Sequence, residues 1–328
     1  MRNKYISCYV AAFCAGLLST ACNDFLDEVP DNRTVIDTPE AVSELLVSAY
    51  PDANCVFFTE SMSDNVTDRG NTLDPYVQPD WNRANRQAFY WEDIDMTYQD
   101  SPNYFWMASY QAIAAANHAL EAIAELEAKG VDCSAQKGEA LLCRAYNHFM
   151  LVNVFAQHYS PAFAATDMGV AYVTEPEKEV FGHYERVSVK ETYDKIRKDL
   201  EEGLPLISNK AYGDTPKYHF TREAAQAFAC RFYLYVGEWQ KAIDAADEAL
   251  GDNPTLRNWN EYIQMSTANR EKNYTSVQES ANLLLASTVS QFAVDQSFYR
   301  YGYSTAVNNS LFQQNDNVVN GVWAYRAE

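Results

Sequence analysis

Apolar residues recur at helical spacing through the middle of the chain. In YFWMASYQAIAAANHALEAIAELEAKG, Trp106, Tyr110, Ile113, Leu120 and Ile123 share one face, and Gly130 stops the helix. In GEALLCRAYNHFMLVNVFAQHY, Leu142, Ala145, Phe149 and Val152 fall at the same spacing, which predicts a helical hairpin over 105–158. SVKETYDKIRKDLEEGLPLI opens on Ser188 and Glu191 in a capping box, aligns Tyr193, Ile196 and Leu200, and ends at Gly203-Leu204-Pro205. A shorter helix is predicted at 39–50, capped by Thr38, with Leu45 and Leu46 facing inward.

The segment TREAAQAFACRFYLYVGEWQKAIDAADEALGDNP carries a more specific pattern. Leu234, Gly237, Trp239, Ala242, Ala246, Ala249, Leu250 and Pro254 stand where a tetratricopeptide repeat places its packing leucine, turn glycine, aromatic, small residues and terminal proline. Trp239 is expected to wedge between the two helices of this unit. One such unit cannot bury its own face, so it must stack on the hairpin at 105–158. Around the helices lie irregular stretches. Residues 53–102 show no helical period but many aromatics, 160–187 is a long excursion, and beyond Pro254 the period fades. A 50-residue loop so rich in large aromatics reads as functional rather than disordered. The fold class is therefore mostly α: tetratricopeptide-like helical hairpins with long irregular loops.

The first residues are of another kind. Arg2 and Lys4, an apolar run from Tyr9 to Leu18, and Ser19-Thr20-Ala21 have the order of an export signal over 1–21, too short to span a bilayer as a helix. Cys22 follows at once, then an acidic stretch, and residues 22–38 read as a tether leading to a domain over 39–328. Small residues before a cysteine resemble a bacterial lipobox, in which the thiol is acylated. Each buried methylene would then add about 0.8 kcal/mol of membrane affinity.

Charge and composition narrow the chemistry. The chain has 25 basic and 45 acidic residues, a formal net charge of −20. Such a surface repels phosphate backbones, which argues against nucleic acid as a partner. Cys143 and Cys230 sit in apolar helical patterns and read as core thiols, and no cysteine spacing suits zinc. Asp64 to Pro75 fails the calcium-loop template, because Val66 stands at its third position and Pro75 at its twelfth. No nucleophile elbow, phosphate-binding loop, dinucleotide glycine pattern or metalloprotease motif is present, and the five histidines form no i, i+4 pair. These absences leave an enzyme unsupported, and no catalysis, cofactor or metal is expected.

The order of features resembles the SusD-like (RagB/SusD) outer-membrane nutrient-binding lipoproteins of Bacteroidetes. The resemblance rests on the lipobox at Cys22, on Tyr110, Ile113, Ala116 and Asn117, on the GEALLCRAY helix from Gly138 to Phe155, and on the repeat-like pair from Thr221 to Pro254. It implies a SusD-like fold whose irregular C-terminal region, here 255–328, is truncated. It also implies a lipid-anchored protein facing outward on the outer membrane, which captures an oligosaccharide or other small nutrient for a partner TonB-dependent (SusC-like) transporter. Family sites draw on the loop before the first long helix, so Asp64, Asp68, Arg69, Trp81, Tyr90 and Trp91 are the candidate ligand-binding residues. The residues themselves suit that task, since sugar C–H faces pack on aromatic rings and hydroxyls pair with carboxylates and guanidinium groups. The alternative is a tetratricopeptide-like lipoprotein adaptor that binds a protein or peptide in a concave groove.

Overall fold

A computed structural model describes residues 36–68, 83–177, 182–214, 216–252, 254, 256–286, 288–292 and 300–303. Among these, the elements run α1 (Pro39–Leu46), α2 (Val56–Ser61), β1 (Val66–Asp68), α3 (Arg83–Phe89), α4 (Pro102–Ala128) and α5 (Ser134–Phe155). They continue with α6 (Val189–Gly203), α7 (Arg222–Val236), α8 (Trp239–Leu250), α9 (Trp259–Gln264), α10 (Thr267–Tyr274) and β2 (Tyr301–Tyr303). The chain divides into two units between Ile36 and Asp37, and all of these elements belong to the unit that starts at Asp37.

Local sequence sets the helix ends. Thr38, Ser101, Ser188 and Thr221 each accept a backbone N–H of the first turn through the side-chain oxygen, at 3.1 Å in every case. Proline follows at the first helical position of α1 and α4, where its missing N–H costs nothing. Packing then does the larger part. Helix α5 lies against α4 on one side and α6 on the other, and α7 pairs with α8. Leu142, Ala145, Phe149 and Val152 of α5 are all buried, as are Tyr193, Ile196 and Leu200 of α6. Phe149 is the hub, with ring centroids 6.2 Å from Tyr193, 5.6 Å from Phe228 and 5.1 Å from Tyr235. Rings from α6 and α7 thus meet on one side chain of α5.

Several expectations need correction. Residues 53–102 are not a uniform loop, because α2, β1 and α3 lie within them. Helices of six and seven residues complete too few turns to show a period, and they form because Phe57, Phe58, Ala84 and Ala88 bury against Met96, Phe105, Ala108 and Phe292. Asn85 reinforces this by donating to Ser61 Oγ at 3.0 Å. Trp239 does not wedge between helices. It stands at the start of α8 and is 63% exposed, while Ala242 and Ala245 make the close approach to α7. Leu234 and Leu250 are also exposed. Cys55, Cys133, Cys143 and Cys230 are free thiols, with Cys143 in the core as expected and Cys230 only half-buried.

A buried polar node joins the elements. Arg144 grips Asp199 with two bonds, 2.6 Å from Nε and 2.7 Å from Nη2, and gives Nη1 to Asn117 Oδ1 at 3.0 Å. Tyr172 donates to the same carboxylate at 2.6 Å and stacks on His148 at 3.8 Å. His148 bridges two backbones, with Nδ1 2.8 Å from the Arg144 carbonyl and Nε2 accepting from Val173 N at 3.1 Å. This fixes a neutral imidazole with the proton on Nδ1, and burial pushes its pKa down from 6.5 to about 3.

The sign of the linkage follows. Between pH 6.5 and about 3 only the unfolded chain takes up this proton, so the stability that neutral His148 contributes is complete above 6.5 and lost as pH falls. From pH 7 to pH 5 the loss is about 2 kcal/mol. Urea unfolding of the parent and of His148→Gln at both pH values should show the gap between them shrinking by that amount. A gap independent of pH would contradict a folded-state imidazole held neutral by burial.

Candidate functional site

Helix α3 ends in a way that its sequence does not favour. Trp91 N donates to Ala88 O at 3.0 Å and Glu92 N to Gln87 O at 2.8 Å, the paired closure of a Schellman motif, and Trp91 occupies its left-handed position with φ of 55°. The same closure terminates α4 and α7. There the left-handed residue is glycine: Gly130 with φ of 83° and Gly237 with φ of 78°. An L-residue in this conformation costs about 1–2 kcal/mol, and a bulky one is a genuine outlier. Nor does packing compensate the tryptophan, since Trp91 is 73% exposed. Two ion pairs strap the following turn back to the helix, Arg86 to Glu92 at 2.8 Å and Arg83 to Asp95 at 3.2 Å.

The β-ladder supplies the neighbouring surface. Strands β1 and β2 pair antiparallel, with Val66 opposite Tyr303, Thr67 opposite Gly302 and Asp68 opposite Tyr301. Asp68 takes both arms of Arg300, at 2.5 Å from Nε and 2.6 Å from Nη2, and this pairing holds the guanidinium more firmly protonated. The guanidinium lies 5.2 Å from the Tyr301 ring centroid. Tyr301 is buried under α3, 5.0 Å from Phe89 and 5.6 Å edge-on from Tyr90. Burial, the largest cause, raises its phenol pKa. Tyr90 remains half exposed beside Trp91.

The structure therefore brings Asp68 and Tyr90 together through Tyr301, and Trp91 stands next to Tyr90 in the chain. Asp64 is exposed in the turn before β1 and makes no ion pair among the described residues. Arg69 and Trp81 lie outside the described residues, as does Cys22. Sequence reasoning missed Arg300 and Phe89 as members of the group. Tyr301 had a signal, the aromatic run SFYRYGYS, but nothing local linked it to Asp68, which lies 232 residues from Arg300. Among the described residues no group of three or more His, Cys, Asp or Glu side chains could hold a metal. What the arrangement offers chemically is two adjacent exposed rings, one carried on a strained but strapped backbone, beside a satisfied ion pair. No nucleophile with a base is found in it among the described residues, and reversible stacking is the chemistry that it suits.

The comparisons agree with this fold. Residues 24–234 match the SusD-like family model described as starch-binding and associating with the outer membrane, and the chain belongs to that family. Solved structures share the architecture. A SusD superfamily protein from Bacteroides vulgatus ATCC 8482 is 20% identical over 85% of this chain and 63% of its own, with a TM-score of 0.59. A SusD superfamily protein from Bacteroides thetaiotaomicron VPI-5482 is also 20% identical, over 69% and 50% of the two chains, with a TM-score of 0.52. A laminarin-binding SusD-like protein is 21% identical over 75% and 50%, with a TM-score of 0.50. The chain spans about half the length of the solved structures it matches. No curated protein matches it.

The half-exposed Asp68–Arg300 pair anchors the ladder rather than the whole fold, because ion pairs this open to water contribute little to global stability. Arg300→Gln should leave the Tm nearly unchanged and raise amide exchange at Val66–Asp68 several-fold. A large fall in Tm would give the pair a role in the core instead.

Proposed function

We propose that the chain captures a glycan by stacking it on Trp91 and Tyr90, in a reversible step without catalysis. The observation that supports this most is the left-handed, exposed Trp91 at a helix end where α4 and α7 use glycine. Neither backbone preference nor burial favours tryptophan there, and presenting an indole face to a ligand does. Asp64, Asp68 and, beyond the described residues, Arg69 and Trp81 complete the candidate surface with groups that pair with sugar hydroxyls. The family's description as starch-binding and the laminarin-binding relative favour a glycan over a peptide. The adaptor reading needs a groove with its aromatics buried, and the exposed pair at the end of α3 counts against it.

In this reading the protein is tethered by acylated Cys22 to the outer membrane, faces outward, and hands its ligand to a TonB-dependent transporter of the SusC type. Among the described residues no helix is long and apolar enough to cross a membrane.

Two measurements decide. Trp91→Gly keeps the helix closure, so its stability should stay within about 1 kcal/mol of the parent or rise. Maltohexaose or laminarihexaose should protect residues 87–92 from hydrogen exchange in the parent, and the variant should need at least tenfold more ligand, about 1.4 kcal/mol. Unchanged protection would remove Trp91 from ligand binding, and a loss of several kcal/mol in stability would make it a structural pin. For the anchor, mass spectrometry should find an acylated N-terminal Cys22, and Cys22→Ser should move the protein out of the membrane fraction. Retention of the variant in that fraction would refute the anchor.

A further inference from the structure

A cleft of about 1220 Å³ lies between the turn at 47–54, helix α4, the turn at 216–219 and the segment 274–288. It shares no lining residue with the Trp91 surface. Its origin is visible in the sequence: on α4 the chain places Ala108 and Ala112 one turn apart, so the floor stays low where larger side chains would fill it. The walls are set by hydrogen bonds made elsewhere. Leu285 N donates to Lys217 O at 2.7 Å, Thr221 Oγ1 donates to Leu283 O at 2.9 Å, and Lys217 Nζ donates to Glu279 O at 2.7 Å. Beneath one wall, fully buried Glu139 accepts a hydrogen bond from Tyr50 Oη at 2.6 Å and faces His219 Nδ1 at 3.0 Å. Tyr50 and His219, which line the cleft, are thereby fixed.

The polar groups left over define what fits. Asp52, Gln111 and Tyr218 line the cleft, are exposed, and make no side-chain hydrogen bond within the protein among the described residues. They offer a carboxylate, a carboxamide and a phenol, while the rings of Tyr50 and Tyr218 and the aliphatic Leu284 give apolar wall. No lysine or arginine lines the cleft among the described residues. Two nearby cations are occupied, Lys217 by Glu279 O and Arg257 by Asn282 at 2.8 Å. A ligand bearing anionic groups would meet Asp52 without a counter-charge. One rich in hydroxyl donors, with C–H faces for the rings, meets complementary groups, and the volume accommodates several sugar units rather than one.

We propose that this cleft is a second binding site, for a neutral oligosaccharide segment, read through Asp52, Gln111 and Tyr218 and separate from the Trp91 surface. The inference rests on the glycan-binding reading, but not on Trp91 being the residue that carries it.

Hydrogen exchange of the purified chain with maltohexaose and with laminarihexaose tests it. One of the two should protect residues 216–219 and 282–286, in the parent and in Trp91→Gly alike. The double variant Asp52→Asn/Gln111→Ala changes only exposed side chains, so it should melt like the parent. It should need at least tenfold more hexaose to protect those two segments while protection of 87–92 is unchanged. Protection confined to 87–92, or parent-like protection of the cleft in the double variant, overturns the proposal and leaves the Trp91 reading intact. Protection of the cleft alone upholds it and removes Trp91 from ligand binding. A parent protected nowhere by either hexaose overturns both.

Discussion

The bidentate contact between Arg144 and Asp199 ties α5 to α6 and gathers two further segments onto the same side chains. Both side chains are almost wholly withdrawn from water, on α5 and α6. A buried pair adds little net stability over a well-packed apolar pair, yet removing one partner typically costs about 3–5 kcal/mol, because the other charge is left unpaired. Such a pair therefore acts by exclusion: any packing of α5 on α6 that separates the two groups is unfavourable. Asn117 on α4 and Tyr172 from the excursion attach to the same two side chains, and Asn117 further donates to Val173 O at 3.1 Å. Three helices and an irregular segment are thus brought to one register by groups that cannot be left unsatisfied.

That register makes the long excursion at 160–187 possible with little secondary structure among its described residues. A segment of this length would ordinarily be loose. Here Tyr110 Oη donates to Ala171 O, His148 Nε2 accepts from Val173 N, and Arg186 Nε donates to Gly169 O at 2.6 Å. Several of its backbone polar groups find side chains on α4 and α5 in place of a ladder. The aromatic hub around Phe149 extends the rigid body to α7, and the smaller apolar cluster around Phe57, Phe105 and Phe292 extends it to α2 and α3. The short α3 can then be held in place by its neighbours, although seven residues would not stay helical alone.

How much of this the sequence reveals depends on how local the cause is. The caps at Thr38 and Ser188, the glycine stops at Gly130 and Gly237, and the inward stripes of α5 and α6 are local, and they are legible. Periodicity also locates the helical hairpins, and with them the family. It does not locate α2 and α3, which are specified by burial against residues far along the chain. It misplaces Trp239, because a repeat pattern records where an aromatic stands in many proteins and not which neighbour covers it here. Asp68, Tyr90 and Trp91 were identifiable as residue types suited to a ligand, but Arg300 and Tyr301, which position Asp68 and Tyr90, come from the other end of the chain. The pairing of β1 with β2 has no local signature.

Trp91 shows why the helical body and the end of α3 owe their rigidity to different causes. Its backbone conformation is unfavourable by an amount comparable to one good hydrogen bond or more, so the end of α3 persists only because something else over-determines it. The straps from Arg86 and Arg83 are exposed and individually weak. The remainder comes from below: Ala88 is fully buried, Asn85 is tied to α2, and Phe89 is pressed on Tyr301. The helix is thus clamped on its inner face, and the residue that follows it takes whatever conformation closes the final turn. With glycine at that place the closure would be easier and the surface bare. Tryptophan accepts the strain with its backbone already fixed, so under the proposed function a ligand stacking there would not have to order that turn. Strain of this kind persists where neighbouring contacts over-determine the backbone, and here those contacts are the ones that α3 makes with α2 and β2 on its inner face.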